Sequence, residues 1–244
     1  MSIRAWYRLV GFALITLFHF SRFMILAIGS KDRTSLALRL RRRWANAILP
    51  FLGIELSVYG TPPEEACILV GNHISYIDPV AVLHDVLAWP VAKAEVSKWP
   101  LIGNMAKNTG ILFVERENRN SRADTIKAID AAVKRGLQIM IYPEGTTNAE
   151  PKTLPFRRGA FRLAAKEGFA IYPMAITYSR ADAAWVGDDT FIPHFLRTFR
   201  RKRLGIQLSY GPRLQDPDEI SLLGKAQSWI DEELVRLSHS SSVD

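Results

Sequence analysis

Cysteine is almost absent, with Cys67 the single example in 244 residues. That count excludes a disulfide framework, a Cys-rich zinc site and an iron–sulfur cluster, and it fits a reducing compartment. Cys67 sits inside an apolar run, where it packs rather than reacts. Histidine is scarce as well: His19, His84, His194 and His239 are scattered, without metal-ligand spacing, so no metal ion is expected. There is no Gly-rich phosphate loop, no dinucleotide fingerprint and no Gly-x-Ser-x-Gly nucleophile elbow. Internal repeats and Gly/Ser linkers are missing too. Neither a resident cofactor nor a protein nucleophile is expected.

What is present reads as a folded protein. With 48% hydrophobic and 23% charged residues, wholesale disorder and low-complexity classes are excluded. The length suits one domain with an appendage. The net charge of +8 is unevenly placed. Residues 1–50 hold Arg4, Arg8, Arg22, Lys31, Arg33, Arg39 and Arg41-Arg42-Arg43 against one acid, Asp32, and account for the entire excess. Residues 51–244 are balanced.

That basic segment is also apolar. Leu9 to Ile28 is long enough to cross a bilayer, although Arg22, with His19 and Ser21, interrupts it. His19-Phe20-Ser21-Arg22 does not supply the small-residue site of a signal peptide. From Leu36 to Ile54 an arginine-rich face alternates with Leu, Trp and Ile, the pattern of a helix lying in the headgroup plane of anionic lipid. The bland reading is an amphipathic helix packed on the domain. A nucleic-acid arm usually lacks such apolar runs, so no nucleic-acid partner is expected. Residues 1–54 are therefore expected to attach monotopically to a membrane, with a single span as the alternative.

Residues 55–244 read as one α/β domain. Short apolar runs end at polar residues: Cys67 to Val70 before Asn72-His73, Ile111 to Val114 before Glu115-Arg116, and Leu137 to Tyr142 before Pro143-Glu144-Gly145. Ala170 to Thr177 and Leu204 to Tyr210 are two more. Such runs predict buried strands. Helical patterns lie between them, over residues 79–87 with Asp78 as N-cap, 121–135 after Ser121, and Arg158 to Lys166. Alternating strands and helices predict a largely parallel central sheet flanked by helices, with functional groups beyond the strands' carboxyl ends. Ser238 to Asp244 reads as a frayed tail.

Three clusters carry the chemistry. In Asn72-His73-Ile74-Ser75-Tyr76-Ile77-Asp78, a loop that folds back lets the carboxylate meet the imidazole, fixing its tautomer and preparing a general base. The alternative is a satisfied loop histidine beside a capping aspartate. A base without a protein nucleophile suggests that the substrate's own hydroxyl attacks, as in direct acyl transfer to an alcohol. Phe113-Val114-Glu115-Arg116 places an arginine past a strand, suited to phosphate or to a surface salt bridge. Pro143-Glu144-Gly145-Thr146 places a carboxylate where it holds a polyol hydroxyl or organises backbone N–H groups. Arg197 and Arg200 to Arg203 form a later basic run, either solvated or docking lipid phosphates or an acidic carrier protein.

In order and spacing these blocks resemble the glycerolipid acyltransferase family, in particular its bacterial 1-acylglycerol-3-phosphate acyltransferases and the related lyso-ornithine lipid acyltransferases. Asn72 to Asp78, Phe113 to Arg116, Pro143 to Thr146 and Ile171 to Ile176 carry the resemblance, which covers roughly residues 55–215. It implies a membrane-bound O-acyltransferase on the cytoplasmic face of the bacterial inner membrane. His73 is then the base and Asp78 its orienting partner. Arg116 binds the acceptor head group, while Glu144, Gly145 and Thr146 shape its site; Asn72, Ser75, Phe113, Arg157 and Arg158 are further candidates. The donor is acyl-ACP or acyl-CoA as co-substrate, and the acceptor is a lysolipid, first of all 1-acylglycerol-3-phosphate. One departure bears on the acceptor: Thr147 stands where the members acting on lysophosphatidic acid commonly have arginine. Arginines of the Leu154 to Gly159 stretch supply a substitute, and lyso-ornithine lipid is an alternative acceptor. Hydrolysis of the same thioester and a non-catalytic lipid-binding scaffold are the rival readings.

Overall fold

A computed structural model of the chain describes residues 2–98, 103, 109–115 and 117–240; Arg116 lies outside them. In chain order the strands are β1 (Ile54–Tyr59), β2 (Ile68–Gly71), β3 (Ala88–Lys93), β4 (Leu112–Val114), β5 (Gln138–Ile141), β6 (Ile171–Tyr178) and β7 (Leu204–Tyr210). The helices are α1 (Ile3–Ala27), α2 (Arg33–Phe51), α3 (Asp78–Val82), α4 (Arg119–Lys134), α5 (Gly159–Glu167), α6 (Phe191–Thr198) and α7 (Glu219–Ser240).

The strands form one sheet in the order β1-β7-β6-β2-β5-β3-β4. All neighbours are parallel except β6 and β7. The five apolar runs are all strands, so the largely parallel α/β sheet is as expected. β1 and β3 are additional. Pro90 in β3 has no N–H to give the ladder, which weakens the strand signal of residues 88–93.

Side chains alternate across the sheet, and each face has its own core. Leu69, Met140, Met174 and Ile176 join α2, α3 and α6 on one face, with Trp44, Ile48, Ala81, Val82 and Phe195 at its centre. Ile68, Val70, Ile139 and Ile141 face α4, α5 and α7, with Ile129, Phe161, Ala164, Leu222 and Ile230. Cover on both faces explains the unbroken apolar runs of the central strands.

Helix boundaries differ from expectation in several places, and α3 ends at Val82 where a helix over residues 79–87 was expected. Asp78 was expected as an N-cap, but Ile77 holds that position and Asp78 is the first helical residue. α4 is capped by Asn118, whose side chain accepts from the N–H groups of Asn120 and Ser121, rather than by Ser121. The C-terminal helix α7 runs through Ser238 to Ser240, where a frayed tail over 238–244 was expected, because Leu222, Ile230, Leu234 and Leu237 bury its stripe against the sheet; residues 241–244 lie outside the described ones.

α1 and α2 form a hairpin whose turn is held by Asp32, accepting from Ser35 N–H at 3.0 Å. α1 is docked along its whole length. Ala5, Arg8, Thr16, Phe23 and Ala27 are buried on one face, at helical spacing. Phe12 packs with Trp44, Phe191 and Phe195. The Arg8 guanidinium donates to the backbone carbonyls of Phe199 (3.1 Å), Arg201 (2.5 Å) and Lys202 (2.7 Å). Gly53, at φ 74°, leaves room for it, since a Cβ there would overlap the guanidinium.

Candidate active site

The central parallel strands end at one rim. Past β2 the chain leaves the sheet at Asn72, whose side-chain amide imitates a strand residue. It donates to Ile176 carbonyl at 3.0 Å and accepts from Ile176 N–H at 2.9 Å. The β2–β6 pairing is thereby extended one step, and the direction in which His73 departs is fixed. Asn72 is buried and serves the backbone, not an open site.

From there the chain folds back on itself. Asp78 is fully buried, and its carboxylate points toward the preceding loop rather than capping α3. Oδ2 accepts from Ile74 N–H (2.7 Å) and Ser75 N–H (2.9 Å) and lies 2.7 Å from His73 Nδ1. Oδ1 accepts from the Tyr178 hydroxyl at 2.5 Å. A carboxylate taken out of water needs such donors, and here four converge on it. Because it can only accept, His73 Nδ1 carries the proton and Nε2 keeps the lone pair. The imidazole stacks on Tyr142, centroids 4.2 Å apart and 14° between planes, and its side chain is 15% exposed, open to the rim.

The adjacent strand, β5, supplies the second wall. Glu144, just past it, accepts from His73 N–H at 2.9 Å, Leu154 N–H at 2.9 Å and the Asn148 side-chain amide at 3.2 Å. Asn148 N–H returns a bond to His73 carbonyl at 2.6 Å. Both backbone groups of His73 are thus held by the Glu144–Asn148 turn. Burial raises the Glu144 carboxyl above its ordinary range, against the pull of these three donors. Of the two roles open to it in the sequence, organising backbone N–H groups is the one its bonds fulfil. Glu144→Leu leaves these donors unpaired and is expected to cost about 2–4 kcal/mol, read as a lower thermal midpoint.

Gly145 adopts φ 75°, where only glycine is unstrained, and the Arg157 guanidinium lies across it. Thr146 is exposed beside them, as are Arg157 and Arg158. Thr147 donates its hydroxyl to Trp185 carbonyl, and Trp185 N–H donates to Ile74 carbonyl at 2.9 Å. The segment after β6 therefore ties the His73 loop to the Glu144 turn. Ser75 is buried, and its Oγ has no hydrogen-bond partner among the described residues. Phe113 lies in β4, three strands from β2, beside an open cleft of about 440 Å³ lined also by Asn118, Ser121 and Thr125. Among the described residues no group of His, Cys, Asp or Glu could hold a metal ion. Cys67 is buried and its thiol is pushed up to about 12 by burial, so it is no nucleophile.

Two tyrosines of the site were not anticipated as functional. Tyr178 closes β6 one residue beyond its expected end, and Tyr142 closes the run before Pro143. Burial holds both hydroxyls well above the ordinary tyrosine range, and Asp78 adds to the effect on each. The available signal was their place at the carboxyl ends of the two strands flanking β2.

Residues 55–177 match the family model described as Acyltransferase. The chain is 33% identical over 204 residues to the lyso-ornithine lipid O-acyltransferase of Pseudomonas aeruginosa, covering 80% of this chain and 78% of that protein. The protein of the same name in Rhizobium meliloti is 28% identical over 191 residues, 70% of this chain and 65% of that one. The 1-acyl-sn-glycerol-3-phosphate acyltransferase of Neisseria meningitidis is 29% identical over 133 residues, 54% of this chain and 52% of that one. The crystal structure of the 1-acyl-sn-glycerophosphate acyltransferase PlsC from Thermotoga maritima superposes with a TM-score of 0.70 at 18% identity, covering 95% of this chain and 98% of that one; the likeness is one of fold.

Proposed function

The chain belongs to the acyltransferase family, and from that premise we propose that it moves a fatty acyl group from an acyl thioester to the free hydroxyl of a lysolipid, with His73 as general base and Asp78 as its positioning partner. One observation carries the assignment of roles: His73 Nδ1 is 2.7 Å from a buried carboxylate, while the ring faces an open rim. Nε2 removes the hydroxyl proton as the oxygen attacks the thioester carbonyl. When the tetrahedral intermediate collapses, the carbon–sulfur bond breaks and Nε2 returns the proton to the departing thiolate. Asp78 supports the imidazolium between those steps. The donor is acyl-ACP or acyl-CoA, and the reaction needs no further cofactor.

For the head group we favour lyso-ornithine lipid. The relatives matched over the longer spans carry that name, and Thr147 is engaged with Trp185 rather than presenting a cation. 1-Acylglycerol-3-phosphate is the second reading, favoured by the exposed Arg157 and Arg158 beside Gly145. Arg116 keeps its proposed place as a head-group ligand. Following free thiol with acyl thioester and each lysolipid tests the scheme. Release that depends on lysolipid supports transfer; release without it means hydrolysis, and none at all means a scaffold.

We further propose monotopic attachment to the cytoplasmic face of the inner membrane through residues 1–54. α1 is long and apolar enough to span, yet it is docked by Arg8 at one end and by Phe23 and Ala27 against α2 at the other. Its outer face presents Ile3, Tyr7, Val10, Leu14, Phe18 and Ile25. A helix held sideways along its length supports insertion of that face into the headgroup boundary rather than a crossing.

Tyr178→Phe removes the donor on Asp78 Oδ1. Charge then gathers on the carboxylate and holds the imidazolium more tightly. The expected result is an acid limb of the rate–pH profile moved to higher pH, with plateau kcat and KM close to the parent. An unchanged profile would refute the coupling.

A further inference from the structure

The basic run at residues 200–203 plays no part in the chemistry above, and its sequence left two readings open. Its place in the fold is informative. β7 runs against β6, so it begins at the rim where β2 and β6 end, and Tyr178 pairs with Ile206 two residues inside it. The run therefore lies two strands from β2, about 10 Å across the sheet. It also meets the amino end of α1: Arg4 donates to Arg200 carbonyl at 3.4 Å, and Arg8 donates to the next two carbonyls.

These bonds use the backbone oxygens of the run and leave its own side chains outward. Arg4, Arg200, Arg201 and Lys202 are exposed. The nearby acids are engaged, Glu55 with Arg203 at 2.8 Å and Asp182 with Arg180 at 2.7 Å; Asp182 also feels Arg200 and Arg201, which outnumber it. Four cations thus stand in excess at one corner of the rim. Directly beside them α1 exposes Ile3, Trp6, Tyr7 and Val10. Cations bordering an exposed aromatic and aliphatic strip match the layering of a bilayer surface, with phosphates outside and acyl chains beneath. An acidic protein partner would have no use for the apolar strip.

We infer that Arg4, Arg200, Arg201 and Lys202 form one headgroup-binding surface for an anionic bilayer, continuous with the apolar face of α1. The surface is assembled from chain segments almost 200 residues apart, and it rests on the attachment reading above. It sets the side of the protein on which the rim meets lipid, near His73 rather than at the far end of the hairpin.

The test compares the parent with the triple variant Arg200→Gln, Arg201→Gln, Lys202→Gln, in which every backbone bond to Arg4 and Arg8 is kept. Partitioning is measured onto vesicles of phosphatidylcholine alone and onto vesicles containing phosphatidylglycerol. Transfer is measured with detergent-dispersed lysolipid, using acyl-CoA and acyl-ACP in turn. Each cation near an anionic surface changes partitioning about fivefold, so the variant is expected to bind the phosphatidylglycerol vesicles on the order of a hundredfold more weakly. Binding to phosphatidylcholine and transfer in detergent are expected to stay at parental levels. Undiminished binding to anionic vesicles overturns the inference. So does a defect confined to acyl-ACP, which would assign the run to the carrier protein. A parent that transfers in detergent yet binds neither vesicle overturns the attachment reading together with this surface and leaves the chemistry standing. A parent that binds vesicles without transferring leaves the surface and removes the proposed reaction.

Discussion

His73→Ala is expected to slow lysolipid-dependent thiol release by about 10²–10⁴-fold while the protein stays folded. The two consequences separate because His73 uses its backbone and its side chain for different purposes. The backbone N–H and carbonyl hold Glu144 and Asn148, and alanine keeps both bonds. The side chain contributes one bond to Asp78 and the stack on Tyr142, the latter worth about 0.5–1.5 kcal/mol. Asp78 retains Ile74, Ser75 and Tyr178 as donors. A thermal midpoint within a few degrees of the parent, with the rate collapsed, is the expected pair of measurements. Transfer within tenfold of the parent would remove His73 from the role of base.

Asp78→Asn is expected to lower kcat by about 10²–10⁴-fold, for an electrostatic reason. The asparagine oxygen can take the place of Oδ2 and accept from Ile74, Ser75 and His73, and its amide can donate to the Tyr178 oxygen. The loop geometry is therefore kept while the charge that balances the imidazolium is lost. Asp78→Ala is a different experiment. It orphans two loop N–H groups and the Tyr178 hydroxyl, at a cost of about 3 kcal/mol or more, so its loss of rate mixes instability with lost charge. Equal stability of the two variants would show that the carboxylate is not the organiser of this loop. Near-parental kcat in the asparagine variant would show that its charge is not used.

Much of this is legible in the amino-acid sequence alone. The strands β2, β4, β5, β6 and β7 announce themselves as apolar runs stopped by loaded polar residues, because a sheet covered on both faces needs no alternation. β1 was concealed by the basic helix before it, and β3 by Pro90. His73 and Asp78 were readable as a pair from their spacing around a turn. The boundary at Asp78 was misread for the same reason that the pair works: a capping side chain and a fold-back side chain look alike in sequence, and long-range donors decide between them. Tyr178 is one hundred residues from its partner. Nothing local marks it, and only the parallel pairing of β2 with β6 brings it to the rim.

The bonds from Arg8 to the carbonyls of Phe199, Arg201 and Lys202 have a consequence in time. α1 is made before its docking partners, and the carbonyls that receive its guanidinium follow about 190 residues later in the chain. At ordinary synthesis rates that interval is about 10–40 s. Throughout it, a 25-residue apolar helix lacks the Phe191, Phe195 and carbonyl partners on which it lies in the finished fold. A bilayer surface accommodates both groups at once, the apolar face in its boundary and the arginine among phosphates. On the attachment proposed above, α1 reaches the bilayer before those carbonyls exist, and the rest of the chain is expected to fold onto an anchor already in position.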